Sequence, residues 1–146
     1  MALNIPALNI PGALGSIQPF STGPAQSSAS LAELTSQADD AFEKQQYAQA
    51  ASLYAQALAL SPKDAELYNE LGISLHYAGR SAEAVDKLKQ GVAIDPSHQR
   101  IWLTLGFVQA SSGATAEGRT ALQKAAEMDP SSPIGQEAKR LLSQLK

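Results

Sequence analysis

Three prolines recur at a constant interval and constrain the fold of this chain more than any other feature. Pro62, Pro96 and Pro130 are separated by 34 residues each, and each follows a short polar or acidic break. A period of about 20–50 residues is typical of arrays in which one supersecondary unit stacks on its copies. When each proline is counted as position 32, the units cover residues 31–64, 65–98 and 99–132.

The three units agree in side-chain size at corresponding positions. Positions 8, 20 and 27 are small throughout, whereas positions 4 and 24 are large and apolar. Antiparallel helix pairs need small residues where two backbones approach and large residues that fill the gaps. The pattern therefore predicts three helical hairpins, with Trp102 in the core between helices. The small positions are Ala38, Gly72, Gly106, Ala50, Ala84, Gly118, Ala57, Gly91 and Ala125, and the large ones are Leu34, Tyr68, Trp102, Tyr54, Leu88 and Leu122.

The last segment, residues 133–146, has a helical period of its own. Ile134, Ala138, Leu141, Leu142 and Leu145 follow the spacing of a single helix face, and polar residues occupy the other side. Terminal repeats expose an apolar face that a helix with a polar outer side can cover. We therefore expect a capping helix at this end.

Residues 1–30 differ from the rest of the chain because no residue from Met1 to Ala32 is charged. Four prolines interrupt this segment, and the sequence ALNIP occurs twice, at 2–6 and 7–11. Proline disfavours helix interiors, and a period of five matches neither helix nor strand. We expect a flexible arm and linker that either stays extended or docks on this domain, a second copy or a partner. A secretory signal is disfavoured because the basic start is missing.

Composition excludes several classes of function. The chain has no cysteine, which removes disulfides and thiolate sites, and its net charge of −3 disfavours binding to nucleic acid. It has no apolar run long enough to span a membrane. His76 and His98 lie in different units without a helical metal-site partner, and His98 is expected to be a solvated surface residue. We therefore predict no enzyme activity, no cofactor and no metal.

The repeat resembles the tetratricopeptide repeat (TPR), whose pattern is W-x2-L-G-x2-Y…A-x3-F…P. Unit three matches at Trp102, Leu105, Gly106 and Pro130, and the second unit matches nearly as well. Unit one departs from the pattern because Gln37 and Ala38 stand where Leu-Gly is expected. The resemblance implies an all-α, right-handed α-solenoid of three TPR hairpins with a capping helix, preceded by the extended arm.

In TPR proteins the first helices of successive units line a concave groove that binds segments of other proteins. Carried over position by position, the resemblance implies a groove with an apolar floor and a mostly charged rim. The predicted binding residues are Thr35, Asp39, Phe42, Glu43, Glu66, Asn69, Ile73, His76, Tyr77, Arg100, Leu103 and Phe107. The floor would hold Phe42, Ile73, Tyr77, Leu103 and Phe107, unless these side chains pack between helices instead.

One TPR subtype binds the terminal carboxylates of heat-shock chaperones with a clamp of lysine, asparagine and arginine side chains. The corresponding residues here are Thr35, Asp39, Glu70, Arg100 and Thr104, of which Arg100 alone fits. Acidic residues at two of these positions would repel a carboxylate. We therefore predict that this chain does not bind partners in that way.

The resemblance implies a non-catalytic protein-interaction module, an adaptor or a chaperone-like protein, which binds a peptide or helix segment of a partner. One alternative is a chaperone of type III secretion translocators, which small three-unit TPR proteins resemble. Another is a self-assembling scaffold, in which the N-terminal arm docks in its own groove or in that of a second copy and so produces a homo-oligomer. We expect a cytoplasmic location.

Overall fold

Seven α-helices form residues 29–145, the part of the chain that the computed structural model describes. Helices α1, α3 and α5 are the first helices of the three units, and α2, α4 and α6 are the second helices. The predicted all-α array of three helical hairpins with a final capping helix is confirmed. Apart from residues 29 and 30, the predicted arm lies outside the described residues. The helices are α1 (Leu31–Glu43), α2 (Tyr47–Leu60), α3 (Ala65–Tyr77), α4 (Ser81–Ile94), α5 (Gln99–Ser111), α6 (Thr115–Met128) and α7 (Pro133–Gln144).

Each helix packs on the next helix in the chain, so every hairpin is joined to its neighbour. In addition, α3 packs against α5, and α5 packs against α7. The first helices of the second and third units therefore lie side by side, with α7 next to them on the same face. None of the helices in residues 29–145 combines the length and the apolar character needed to cross a membrane.

A seam of small residues holds the two helices of each hairpin together. A methyl group added at Gly72 would lie 2.5 Å from Cγ of Leu88, and one added at Gly106 would lie 2.6 Å from Cγ of Leu122. The large residue at position 24 thus fills the space left by the small residue at position 8. Leu88 and Leu122 are at most 1% exposed. Of the positions predicted from the repeat, 8 and 24 thus meet within the second and third hairpins.

The turns within the hairpins share one backbone conformation. Position 15 has a positive φ in all three units: 62° at Gln45, 86° at Gly79 and 96° at Gly113. Glycine adopts this left-handed conformation without steric strain and commonly ends helices for that reason. The first hairpin makes the same turn with a glutamine.

An aromatic residue at position 4 links each of the last two units to the one before. The hydroxyl of Tyr68 donates to the carbonyl oxygen of Pro62 (3.2 Å), and the indole Nε1–H of Trp102 donates to that of Pro96 (2.8 Å). The prediction that Trp102 is a core residue is only partly correct. Its ring packs against the core, but the side chain is partly exposed, because its N–H reaches a carbonyl group in the turn.

Helix α7 covers the end of the third hairpin, as the periodicity predicts. Ala138 is fully buried, and three leucines of the same face pack against the cluster that includes Leu122, Ala125 and Ala126. The Ser132 hydroxyl accepts a hydrogen bond from the backbone N–H of Gly135 (2.9 Å) and caps the first turn of the helix. The leucines are Leu141, Leu142 and Leu145.

Candidate functional site

Five rings lie in contact across the three units and form what we term the aromatic stripe. Centroid distances are 5.1 Å for Phe42–Tyr47, 6.0 Å for Phe42–Tyr77 and 5.1 Å for Tyr47–Tyr77. His76 continues the series, with its ring 5.4 Å from both Tyr77 and Phe107. Most pairs meet edge to face, an arrangement that aromatic rings prefer. The stripe thus runs from the C-terminal end of α1, across α3, to α5.

The aromatic stripe is only partly covered by the rest of the protein. Tyr77 is 48% exposed, which makes it one of the most exposed large apolar side chains in residues 29–145. Phe42, Tyr47 and Phe107 are half-buried. The sequence left open whether these rings form the floor of a groove or pack between helices. They do both, because they touch the core and still present a surface to solvent.

His76 is held in place within the stripe. Its Nδ1 lies 2.8 Å from the hydroxyl oxygen of Ser81 at the start of α4. Burial lowers the pKa of the His76 imidazole, which favours the neutral ring at neutral pH. This histidine therefore contributes an uncharged aromatic surface. Within residues 29–145, no group of three or more His, Cys, Asp or Glu side chains is arranged to hold a metal ion.

A cavity of about 280 Å³ adjoins the α5 end of the stripe. Phe107 belongs to both, so the apolar surface continues from the stripe into the space between α5 and α7. Such a cavity could hold one or two apolar side chains of a ligand. The lining residues are Phe107, Ala110, Ser111, Leu122, Leu141, Gln144 and Leu145.

The N-terminal half of α3 bears a pair of carboxyl groups, on Glu66 and Glu70. They are one helical turn apart and hydrogen-bonded to each other. Burial, chiefly, and the hydrogen bond with Glu66 raise the pKa of Glu70 to about 7, although a hydrogen bond from the Asn69 amide and the charge of Arg100 act in the opposite direction. Glu70 therefore retains a proton close to neutral pH.

A third carboxylate, that of Asp39 on α1, lies near this pair. It accepts a hydrogen bond from the hydroxyl of Tyr54, a buried residue of α2. Burial, this hydrogen bond and the charges of Glu70 and Asp39 all raise the pKa of Tyr54, which stays neutral. Asp39 thus binds the Tyr54 hydroxyl directly, and the charge of Glu70 is close enough to affect the same group, which places both carboxyl groups near Tyr54.

Two basic side chains approach Glu66, one from the turn before α5 and one from the first turn of α5. Nε2 of His98 lies 2.7 Å from one carboxylate oxygen, and Nε of Arg100 lies 3.8 Å from the other. The expectation that His98 is a solvated surface residue is wrong. Its side chain is 22% exposed, because the turn before α5 brings it against α3, where Glu66 binds it.

The other predicted groove residues differ in position. Asn69 is wrongly predicted as a rim residue, since it is only 3% exposed. The reason is that α3 has neighbours on several sides, namely α2, α4 and α5, which cover most of its surface. Leu103 packs with the α6–α7 cluster and not within the stripe. The Thr35 side chain is half-buried and donates to carbonyl groups of its own helix. Ile73 is also half-buried, whereas Glu43 is exposed.

The sequence interpretation missed Tyr47 and Tyr54 because both lie on α2, the second helix of its hairpin. A signal for Tyr47 was present, since the residue starts α2 directly after the turn that follows Phe42. Tyr54 was interpreted only as a large core residue. Its hydroxyl group, which must find a partner when buried, indicated a polar neighbour across the hairpin.

Solved structures share this fold at low sequence identity. The TPR2B domain of yeast Sti1, in a complex with pHsp70, superposes with a TM-score of 0.74 and 19% identity over 79% of this chain and 94% of that chain. The type III secretion translocator chaperone SycD of Yersinia enterocolitica gives 0.73 and 20%, over 83% and 93%. A type III secretion complex from Aeromonas hydrophila gives 0.72 and 15%, over 79% of each chain.

Sequence comparison agrees with the fold. No curated protein sequence matches this chain significantly. Two models of the tetratricopeptide repeat do match, one over residues 35–98 and the other over residues 75–145. Together they cover the final helix and all three hairpins except the first four residues of α1. The repeat period, the hairpins and these matches lead to one conclusion: the chain belongs to the tetratricopeptide repeat family.

Proposed function

We propose that this chain is a non-catalytic protein-interaction module, an adaptor or a chaperone-like protein, whose groove along α1, α3 and α5 binds a segment of another protein. The aromatic stripe is the observation that carries the proposal. It offers a connected apolar surface at the centre of the concave face, and large apolar surfaces on folded proteins mark interaction sites. Similar folds bind other proteins, as in the yeast Sti1 complex with pHsp70.

Peptide selection with a matched pair of variants tests this proposal. Random 12-residue peptides displayed on phage are selected on the full chain, and the best are synthesised and measured by fluorescence anisotropy. Tyr77→Glu should weaken their binding by at least about tenfold, because a charge replaces a ring at the centre of the stripe. Leu60→Glu is the control, since Leu60 is 54% exposed but lies outside the stripe. Equal binding by both variants would contradict the proposed site.

A second candidate is a chaperone of type III secretion translocators. It is supported by the fold shared with SycD, which aligns over 83% of this chain. Such a chaperone would hold its apolar partner in a stable complex, whereas an adaptor would exchange ligands readily. Dissociation rates of the selected peptides, and of longer segments that contain them, distinguish the two modes.

The self-assembly hypothesis stays a prediction, since the arm lies outside the described residues. Light scattering on the full chain and on a chain that lacks residues 1–20 tests it. An unchanged mass together with unchanged peptide affinity would exclude the arm as an element of assembly. The cytoplasmic location stays a prediction as well.

A further inference from the structure

The groove proposed above has two chemically distinct halves along α3. Glu66, Glu70, Ile73 and Tyr77 follow the spacing i, i+4, i+7 and i+11, which places them on one face of the helix. The carboxyl groups occupy its N-terminal half, and the aromatic stripe crosses its C-terminal half. On α1 the order is the same, because Asp39 precedes Phe42 by one turn.

Carboxyl groups outnumber cations among the groove residues described above. The groove has four carboxyl groups and one guanidinium group, that of Arg100. Nε of Arg100 is 3.8 Å from Glu66 and therefore outside hydrogen-bond distance. The carboxyl groups are those of Asp39, Glu43, Glu66 and Glu70. His98 is charged only when it is protonated. Burial, chiefly, and Glu66 raise the pKa of Glu70, and the charge of Arg100 does not offset them.

A neighbouring polar group is also left without a partner. The side chain of Asn69 is buried beside Glu70 and donates to it (3.2 Å), but its carbonyl oxygen Oδ1 accepts no hydrogen bond. Buried polar atoms normally have partners, and an unpaired one marks a place where a ligand or water completes the arrangement. This oxygen is buried and does not open into the groove, but it indicates that the surroundings of Glu70 supply few hydrogen-bond donors.

We propose that the partner segment carries a lysine or arginine whose side chain enters between Asp39 and the Glu66–Glu70 pair, while apolar residues beside it contact the aromatic stripe. This inference rests on the proposed function of the groove. Charge complementarity favours a partner over the N-terminal arm, because residues 2–28 of this chain contain no charged side chain. The cation would take the place of the proton on Glu70, and its N–H groups would donate to the carboxylate oxygens of Asp39 and Glu70.

Binding of such a segment should depend on pH in a defined direction. The groups that face Glu70 are Asn69 and Glu66 on its own helix, with His98 bound to Glu66, and Asp39, Tyr54 and Arg100 on the neighbouring helices. Above pH 7 Glu70 is ionised and attracts a cation. Below pH 7 the proton on Glu70 competes with the cation, so affinity for a basic peptide should rise from pH 6 to pH 8.

The test uses the full chain and one synthetic peptide from the selection, in versions with lysine, glutamine or glutamate at the basic position. We expect basic residues in most selected peptides and a loss of roughly tenfold when lysine is replaced by glutamine. Affinity for the lysine peptide should increase several-fold between pH 6 and pH 8 in the parent chain. Glu70→Gln should lose that increase, whereas Glu127→Gln, a control on the exposed side of α6, should keep it.

The outcomes separate this inference from the proposed function. If glutamine and glutamate peptides bind as tightly as the lysine peptide, and Tyr77→Glu still abolishes binding, the acidic subsite is wrong and the groove stands. If a synthetic peptide of residues 2–28 displaces the lysine peptide, the arm is the occupant and the inference is overturned. If no peptide binds at all, the proposed function fails too. Circular dichroism of each variant checks that the helices are intact.

Discussion

Two regions of the molecule differ in how regularly their residues repeat from unit to unit. One is the seam between the helices of a hairpin, and the other is the concave face. In the seam, Leu88 meets Gly72 and Leu122 meets Gly106, so the same pair of positions repeats in the same geometry. On the concave face, corresponding positions carry Asp39, Ile73 and Phe107, which have little in common. The comparison teaches that the period maintains the stacking of the hairpins, whereas the differences between units determine what the face can bind.

The largest expected effect comes from breaking the seam. Leu88→Ala removes a fully buried side chain and leaves a cavity against Gly72, so the free energy of unfolding should fall by about 2–5 kcal/mol. Leu60→Ala is the matched control, because Leu60 is exposed and its truncation should change stability by less than about 0.5 kcal/mol. Urea denaturation followed by circular dichroism measures both. Equal losses would mean that the seam is not the main source of stability.

A smaller effect should come from the concave face, and it should depend on pH. The pKa of Glu70 is raised from 4.5 to about 7, so the native chain holds a proton that the unfolded chain has released between these pH values. Stability should therefore fall as the pH rises through this window. Glu70→Gln removes the proton binding, and we expect it to be more stable than the parent chain at pH 8.

The expected gain at pH 8 is about 1–2 kcal/mol, less than the pKa shift alone implies, because water still reaches part of the side chain. At pH 5 the two chains should be nearly equal in stability. Urea denaturation at both pH values gives the comparison. A difference that is the same at pH 5 and pH 8 would show that the substitution acts through packing and not through the carboxyl pair.

The smallest effect should come from restoring the regularity of the first hairpin. Gln45 has a φ of 62°, where the other two units have glycine. Gln45→Gly should relieve backbone strain and raise the unfolding free energy by about 0.5–1 kcal/mol. Gln46→Gly is the control, since residue 46 has a φ of −89° and gains nothing from glycine. A thermal melt in which both variants are destabilised would contradict this explanation.

The fold could be predicted from the sequence because the same pattern of small and large residues occurs in three successive units. The prolines at 62, 96 and 130 set the period, and small and large positions recurred in register. Side chains in the seam meet partners at fixed positions within the same hairpin, so their size alone indicates their neighbours. The capping helix was equally predictable, since its apolar face follows a single helical period.

The concave face was harder to predict because its arrangement depends on contacts between units. The predictions identified Phe42, Tyr77 and Phe107 as residues of one surface, but not that His76 joins their rings. Asn69 was assigned to the groove rim from its position in the repeat, and His98 to solvent from its place in the turn after Pro96. The helices around α3 cover Asn69 instead, and His98 is bound by Glu66 of α3. Periodicity within one helix carries no information about such contacts, which arise from the stacking of different hairpins.

The contacts in this solenoid are confined to hairpins that follow one another in the chain. Since residues 29–145 are organised in this way, the length of the binding face is set by the number of hairpins and not by any global closure. A further 34-residue unit inserted at one of the proline junctions would leave the existing interfaces in register. The chemistry of the face could thus be extended one hairpin at a time, each bringing its own side chains to a shared surface.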